Sequence, residues 1–224
     1  MTAGLNTRLK TLDTWVFDLD NTIYPSSSNL FPQIHQKMGQ FIANMLSIPV
    51  EEARKIQEDY YHRYGTSLNG LMAEHNMLPD KFLDFVHDLD YRILKADPKL
   101  RSLLSALDAT LYIFTNGTVK HAEAVLNQMG IADLFADIFD ITIANYVPKP
   151  NAAPYDAMVA KANITPHTAI MVEDIAKNLR VPAKIGMTTL WVKNPFEAVD
   201  PDDNLAYIHY QTDNLLDWLG TNIP

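Results

Sequence analysis

The chain has 224 residues, of which 47% are hydrophobic, and this length fits one large domain or one domain that carries a smaller insert. It contains no cysteine, which excludes disulfides and metal sites made of thiolates. The net charge is −9 and Lys and Arg form no cluster, so the sequence argues against a nucleic acid polymer as partner.

The first ten residues, Met1–Lys10, lack the apolar core that a signal peptide needs. No apolar run further along approaches the roughly 20 residues of a membrane-spanning helix. We therefore expect a soluble, cytoplasmic protein without a membrane partner. The sequence does not indicate its oligomeric state.

Short apolar runs rich in β-branched and aromatic residues recur along the chain and predict the buried strands of a parallel sheet. They are Thr14–Phe17, Leu111–Phe114, Ile138–Ile143, Ala169–Val172, Thr189–Val192 and Ala206–His209. Helical patterns lie between them, and a closing helix is predicted over Gln211–Leu219, with Trp218 on the core. Strands that alternate with helices predict a doubly wound α/β domain.

One long stretch between the first two predicted strands carries only helical patterns. Its apolar stripes are Ile34, Met38, Phe41, Ile42 and Met45, followed by Phe82, Phe85, Val86 and Leu89. We predict an all-helical insert over residues 26–95. The α/β core would then consist of residues 1–25 and 96–224, with linkers at Pro25–Ser28 and Ala96–Pro98.

Polar and charged residues follow four of the predicted strands. They form the segments Asp18–Thr22, Thr115–Gly117, Pro148–Pro150 and Glu173–Asp174. Because ligands of an open parallel sheet bind beyond the carboxyl ends of its strands, we expect these segments to meet at one edge.

Each segment taken alone has an ordinary explanation. Asp18 and Asp20 suit a strand-to-helix turn, and Thr115–Gly117 suits a helix entry. Glu173–Asp174 suits the first turn of a helix, and a lone Lys149 is usually solvated. All four in this order, each after a strand, favour a functional site.

The residue types fit phosphate transfer to a carboxylate. Asp18 can attack phosphorus and form an aspartyl-phosphate, but two like charges about 4 Å apart repel by roughly 4 kcal/mol at an effective dielectric constant near 20. Mg²⁺ removes this repulsion by bridging carboxylate and phosphate. The candidate metal ligands are Asp18, Asp174, the backbone carbonyl of Asp20 and Glu173.

The remaining segments supply the other parts of such a reaction. Lys149 adds a fixed positive charge. The Thr115 hydroxyl and the N–H groups of Asn116 and Gly117 are expected to open a helix and to cradle the phosphate. Asp20 is expected to give the leaving alkoxide a proton and then to take one from the attacking water.

The four segments resemble the signature motifs of the haloacid dehalogenase (HAD) superfamily, and the resemblance covers nearly the whole chain. It implies a Rossmann-like sheet with a helical cap at residues 26–95, and a Mg²⁺-dependent phosphatase. It also implies Asp18 as nucleophile, Asp20 as general acid/base, Thr115 and Lys149 as phosphate ligands, and Asp174 as metal ligand. Members that cleave C–halogen or C–P bonds generally lack the second aspartate, so Asp20 argues against them.

A narrower resemblance lies in Asp59–Leu71 and Asp18–Pro25, which look like segments of the pyrimidine 5′-nucleotidase subfamily. It implies a small phosphomonoester substrate such as UMP or CMP. Aromatic and polar groups of the insert would then contact the base or ribose, and the candidates are Tyr64, Thr66, Ser67 and Asn69. Packing of a helix with Gly65 as its C-cap explains the same stretch.

The sequence departs from many relatives at Asn178, where they carry another aspartate. Asn178 and Glu173 are therefore left open as metal ligands or as neighbours that orient the site. His121 is expected to lie on a helix surface. A phosphatase or phosphomutase for another metabolite, such as a sugar phosphate, stays open, as does a non-catalytic binding module.

Overall fold

A six-stranded parallel sheet lies at the centre of the computed structural model, which describes residues 8–223. Its strands are β1 (Thr14–Phe17), β2 (Thr110–Phe114), β3 (Phe135–Phe139), β4 (Ala169–Glu173), β5 (Thr188–Val192) and β6 (Tyr210–Thr212). They are ordered β3-β2-β1-β4-β5-β6, and every pair is parallel. The predicted doubly wound α/β fold is confirmed. The strand order reverses between β1 and β4, the point at which such sheets bind ligands.

Two predicted strands were misplaced. The run Ile138–Ile143 is not one strand, because β3 ends at Phe139 and Asp140 then caps a 3-10 turn by accepting a hydrogen bond from the Thr142 N–H at 3.0 Å. Ile141 continues the apolar run because it packs against the helical insert.

The last strand lies just beyond the predicted run Ala206–His209. The Thr189 hydroxyl donates to the Tyr207 carbonyl at 2.6 Å and accepts from the His209 N–H at 3.0 Å. A side chain therefore takes the hydrogen bonds of this segment, and ladder pairing of β6 with β5 involves Tyr210–Thr212.

The chain between β1 and β2 is helical, as predicted. It contains α1 (Phe31–Leu46), α2 (Val50–Tyr64), α3 (Ser67–His75) and α4 (Pro79–Val86), and residues 26–95, all of them described, form no strand. Phe41 packs edge-on against Phe82 and Phe85, with ring centroids 5.2 and 5.6 Å apart. We call residues 26–95 the helical insert. Its separation from a core of residues 1–25 and 96–224 as a domain stays a prediction, and residues 1–7 and 224 lie outside the described residues.

The turn between α2 and α3 follows from its own residue types. Gly65 ends α2 with a positive φ of 82°, and the Thr66 hydroxyl caps α3 by accepting from the Asn69 N–H at 3.1 Å. A side chain at Gly70 would place its Cβ 2.3 Å from the Tyr60 ring, so glycine lets α2 and α3 approach closely. Helix packing thus accounts for several residues of the Asp59–Leu71 stretch.

Both faces of the sheet are covered by helices. One face holds α5 (Pro98–Ser105), α6 (Val119–Met129) and α9 (Leu215–Asn222), where Trp218 packs on Trp15 at 6.3 Å. The other face holds α7 (Ala152–Ala162) and α8 (Arg180–Lys184). The predicted closing helix begins later than expected, because residues 210–212 join the sheet. Among residues 8–223, no helix is long and apolar enough to cross a bilayer.

Candidate active site

Asp18 begins the loop that follows β1 and lies at the carboxyl edge of the sheet. Its N–H donates to the Val172 carbonyl at 2.8 Å, which extends the pairing of β1 with β4 by one residue. The Thr22 and Ile23 N–H groups both donate to the Leu19 carbonyl, and Asn21 takes a left-handed φ of 62°. Asparagine tolerates this conformation well, so the Asp18–Thr22 segment folds into a tight turn beside the sheet.

Lys149 reaches Asp18 from a loop before α7. Its buried ammonium group donates three hydrogen bonds, to Asp18 Oδ1 at 2.8 Å, Glu173 Oε2 at 2.7 Å and the Phe114 carbonyl at 2.8 Å. An ammonium has three donors, so each one is satisfied. The predicted residues Asp18, Lys149 and Glu173 are thus brought together by the ends of β1, β2 and β4.

Asn116 holds the backbone of this lysine in place. Its Oδ1 accepts from the Lys149 N–H at 2.9 Å, and its Nδ2 donates to the Lys149 carbonyl at 3.4 Å. The asparagine side chain therefore braces the Lys149 loop, a contact that the sequence analysis did not anticipate.

Three carboxylates lie close together in this pocket. One oxygen each of Asp18, Glu173 and Asp174 lies within 4.8 Å of the others, and all three residues are buried. Burial and the nearby Glu173 raise the pKa of Asp18 to about 7, although Lys149 acts in the opposite direction. Burial, Asp18 and Glu173 also raise the pKa of Asp174 well above its ordinary value. The pocket thus holds more negative charge than Lys149 compensates.

A divalent cation fits this arrangement. Mg²⁺ prefers carboxylate oxygens together with waters, and its charge would offset the repulsion that raises the pKa values of Asp18 and Asp174. The residues that would hold it are Asp18 and Asp174, with Glu173 beside them. The Asp20 side chain is not part of this cluster. Its predicted role as ligand used the backbone carbonyl and stays a prediction.

The position of Lys149 favours its charged form. Burial alone lowers the pKa of this lysine, but attraction to Asp18 and Glu173 and the hydrogen bonds to them outweigh it, so the pKa lies above the ordinary value. Glu173 also accepts from the Ile175 N–H at 3.2 Å. Glu173 thus organises both the lysine and the turn that carries Asp174.

Two residues near β5 hold Asp174, and the sequence analysis missed both. Asn194 donates from Nδ2 to Asp174 Oδ2 at 2.8 Å, and the Trp191 indole donates to the Asp174 carbonyl at 2.8 Å. The sequence does carry a pattern that could have indicated Asn194, because this polar residue comes two residues after the end of β5.

The Thr115–Gly117 segment follows β2 but does not itself open a helix. Helix α6 begins at Val119, with the Thr118 hydroxyl as its cap, which accepts from the His121 N–H at 3.2 Å. The Gly117 N–H donates to the Thr115 hydroxyl at 2.9 Å. The expectation that Asn116 and Gly117 open a helix was therefore wrong, because the helix begins two residues later, and their role in cradling the phosphate stays a prediction.

Asp20 lies in a separate hydrogen-bonded group beside the carboxylate cluster. Its Oδ1 accepts from the Tyr24 hydroxyl and lies 2.8 Å from His121 Nε2. Burial alone raises the pKa of Asp20, but the charge and hydrogen bond of His121 and the hydrogen bond of Tyr24 outweigh it, so the pKa lies below the ordinary value.

The expectation that His121 lies on a helix surface was wrong. It is fully buried, because the face of α6 that carries it turns toward Asp20, 101 positions earlier in the chain. Tyr91 and His87, both from the helical insert, contact its ring from the other side.

A cavity of about 1140 Å³ lies between this edge of the sheet and the helical insert. Thr66 and Ser67 line it, while Tyr64 and Asn69 do not. The Tyr64 hydroxyl instead contacts Glu74, and the Ser67 hydroxyl donates to the Gln57 carbonyl at 3.2 Å. Of the four substrate contacts predicted in the insert, the structure thus brings two to the cavity.

Other residues of the cavity were not predicted. They include Arg54, Gln57 and Tyr61 of α2 and Phe196, which is 79% exposed. Asn178 also lines the cavity and is buried, and its Oδ1 has no hydrogen-bond partner among the described residues. The orienting role left open for Asn178 stays a prediction.

Comparisons with known proteins identify the family and the fold of this chain. The haloacid dehalogenase-like hydrolase family matches residues 12–186. Phosphate metabolism protein 8 of Saccharomyces cerevisiae is 30% identical over 190 residues, covering 76% of this chain and 58% of the yeast protein. The chain thus spans less than two thirds of the length of that relative.

Two solved structures show the same fold. The HAD phosphatase of Thermococcus onnurineus is 18% identical, covers 94% of this chain and 97% of its own, and has a TM-score of 0.63. YfnB of Bacillus subtilis, solved bound to magnesium, is 17% identical, covers 94% of this chain and 98% of its own, and has a TM-score of 0.60.

Proposed function

Because this chain belongs to the haloacid dehalogenase-like hydrolases, we propose that it is a Mg²⁺-dependent phosphomonoesterase that forms an aspartyl-phosphate on Asp18. We further propose pyrimidine nucleoside 5′-monophosphates as its substrates. The observation that carries the first proposal is the buried group formed by Asp18, Lys149, Glu173 and Asp174 at the strand reversal.

The first chemical step uses Asp18 and Asp20. A carboxylate oxygen of Asp18 attacks phosphorus, the bond from phosphorus to the ester oxygen breaks, and Asp20 gives that oxygen its proton. Asp20 must carry a proton at this moment, although its pKa lies below the ordinary value. A bound phosphate dianion raises the pKa of Asp20, because a like charge next to a carboxylate disfavours its charged form.

The second step restores the enzyme. A water attacks the aspartyl-phosphate at phosphorus and gives its proton to Asp20, and the bond between phosphorus and the Asp18 oxygen breaks. Inorganic phosphate leaves, Asp18 is again a carboxylate, and the proton from the water has replaced the one that Asp20 gave to the alcohol.

The charges of the site must be balanced during both steps. A Mg²⁺ ion held by Asp18 and Asp174, with Glu173 beside them, would supply positive charge that offsets the charges of the nucleophile and of the phosphate. Lys149 adds a fixed positive charge that is already hydrogen-bonded to Asp18 at 2.8 Å, so little reorganisation is needed when the phosphoryl group arrives. The buried Thr115 hydroxyl lies beside Asn116, where it can donate to a phosphate oxygen while it accepts from Gly117.

The proposed substrate class rests on the resemblance of the Asp59–Leu71 stretch and on the cavity. Its volume of about 1140 Å³ exceeds the roughly 300–1000 Å³ of ordinary small-molecule sites, so a mononucleotide has room. Gln57 and Tyr61 of α2 and Thr66 at the start of α3 offer an amide, an aromatic ring and a hydroxyl to the cavity wall. These groups suit a base and a ribose. The yeast relative's name, phosphate metabolism protein 8, supports phosphate chemistry without naming a substrate.

The test is a panel of phosphomonoesters with and without EDTA. We expect p-nitrophenyl phosphate and UMP or CMP to release phosphate with Mg²⁺ and not with EDTA. Purine nucleotides, sugar phosphates and pyridoxal phosphate should be turned over less efficiently. No metal-dependent release from any phosphomonoester would refute the phosphatase, whereas efficient turnover of a sugar phosphate alone would refute only the nucleotidase.

A further inference from the structure

The two oxygens of the Asp20 carboxylate have different surroundings. Oδ1 receives the Tyr24 hydroxyl and His121 Nε2, the latter at 2.8 Å. Among the described residues, no hydrogen bond reaches Oδ2, and Asp20 lines the cavity. Two partners on one oxygen fix the rotation of the carboxylate, so the other oxygen is left for the substrate.

The ring of His121 is held at both of its nitrogens. Nδ1 lies 3.0 Å from the Tyr91 hydroxyl, which itself donates to the His87 carbonyl at 2.8 Å. His121 is fully buried, so water does not compete for either nitrogen. Since a carboxylate oxygen only accepts, Nε2 is the donor toward Asp20.

The helical insert supplies the support for this ring. His87 stacks on His121 with ring centroids 4.4 Å apart and an angle of 11° between the planes. The His87 ring is fixed in turn by Thr118, whose hydroxyl lies 3.2 Å from Nδ1.

Gly117 makes room for the stacked rings. A Cβ at this position would lie 3.2 Å from His121 Cδ2 and 3.6 Å from His87 Nε2. The contact to His121 is tighter than an ordinary van der Waals contact, so a larger residue would displace that ring.

We propose that His121 is a positioning residue that holds Asp20 Oδ1, so that Oδ2 faces the scissile ester oxygen. Tyr91 and His87 of the helical insert keep the imidazole in place. This inference rests on the proposed function, because it concerns the residue that we assign as general acid/base. The general acid would then have two parts. The Asp20 carboxylate comes from the loop after β1, and the His121 ring that orients it is fixed between α6 and the helical insert.

The test compares a poor and a good leaving group in a single turnover. The release of the alcohol from an alkyl phosphate needs the proton of Asp20, whereas p-nitrophenolate leaves readily without it. We expect His121→Ala to slow the first reaction by about 10²-fold and the second by only a few-fold, with little change in KM. His121→Gln keeps a side-chain N–H donor and should recover part of the loss, while Tyr91→Phe should show the same pattern with a smaller effect.

The variants also separate positioning from a loss of packing. Thermal unfolding would identify a His121→Ala protein that does not fold, in which case His121→Gln and Tyr91→Phe decide the question. His167→Gln removes an exposed histidine on another face and should behave as wild type. Equal losses for both leaving groups, or wild-type rates in all three variants, would overturn the inference. If the wild-type enzyme releases neither alcohol while correctly folded and supplied with Mg²⁺, the proposed function itself has failed.

Discussion

The Nζ atom of Lys149 lies 2.8 Å from Oδ1 of Asp18, although 131 positions separate the two residues in the chain. The same ammonium holds Glu173 at 2.7 Å, so it is the positive centre of a buried acidic pocket. Its removal leaves three carboxylates together, and their repulsion then opposes the approach of any phosphate.

Lys149→Met should therefore lower kcat/KM by about 10²- to 10³-fold, the loss typical for a preorganised charge that stabilises a transition state. Lys149→Arg keeps the charge but cannot place one compact ammonium on three acceptors, so we expect a substantial loss there too. Steady-state kinetics with p-nitrophenyl phosphate measures both. Lys177→Met, which removes a nearby lysine of the cavity wall, should cost far less. Near-normal rates in Lys149→Met would contradict the role given to this residue.

Asp18→Asn and Asp20→Asn should fail at different steps. Without the Asp18 nucleophile no aspartyl-phosphate forms, so no burst of p-nitrophenol is expected. Asp20→Asn can still be phosphorylated by this good leaving group, but the water that ends the cycle loses its base, and turnover should fall by about 10²- to 10⁴-fold.

Rapid-mixing experiments check this difference. Asp20→Asn should give about one equivalent of p-nitrophenol per enzyme, followed by a slow phase, and phosphate should remain bound to the protein. Asp108→Asn, an exposed aspartate, serves as the control and should match wild type. A normal steady-state rate in Asp20→Asn would refute its role as acid/base.

Asn194→Ala should weaken binding of Mg²⁺. Asn194 donates to Asp174 Oδ2 at 2.8 Å and accepts from the Phe196 N–H at 3.1 Å, so it fixes the carboxylate against the following loop. Loss of a partner that orients a metal ligand typically costs 10- to 100-fold in metal affinity or activity. Calorimetric titration with Mg²⁺ measures the affinity without turnover. Asn127→Ala on the exposed face of α6 is the control, and an unchanged Mg²⁺ affinity in Asn194→Ala would refute the assignment.

The sequence predicted the parts of the site that a strand end places directly. Asp18 and Glu173–Asp174 lie at the carboxyl ends of β1 and β4. Parallel strands bring these ends together at one edge of the sheet, so the sequence was enough to place them. Asn194 follows the same rule and was overlooked. Sequence periodicity cannot give the rotation of a helix about its axis in the folded protein, and this rotation decides that His121 faces Asp20.

The helical insert shows the same limit. Tyr64 and Thr66 are two positions apart, yet Thr66 lines the cavity, whereas Tyr64 does not line it and contacts Glu74 of α3. Their types fit substrate binding equally well. Only the packing of α2 against α3, set by the contact of Gly70 with Tyr60, determines which of them can reach a ligand.

The stability of the protein should depend on His87 at mildly acidic pH. Burial lowers the pKa of His87 to about 3, and the charges of His121 and Lys120 act in the same direction while Asp20 opposes them. In the unfolded chain a histidine has a pKa near 6.5, so between about pH 6.5 and pH 3 the unfolded state binds a proton that the folded state does not. The free energy of unfolding therefore falls as the pH falls through this window, by about 2 kcal/mol at pH 5 for this one group.

His87→Gln removes this contribution but also removes the stacking on His121, so the two effects must be separated. At pH 7.5 neither state of wild type is protonated at His87, and the difference in stability there measures the lost packing alone. As the pH falls to 5, wild type should lose about 2 kcal/mol more than the variant, so the two stability curves converge. Urea unfolding at several pH values between 5 and 7.5 measures both curves. If they run parallel instead, His87 takes up its proton in the folded protein as readily as in the unfolded chain, and the burial of a neutral imidazole between Thr118 and His121 is refuted.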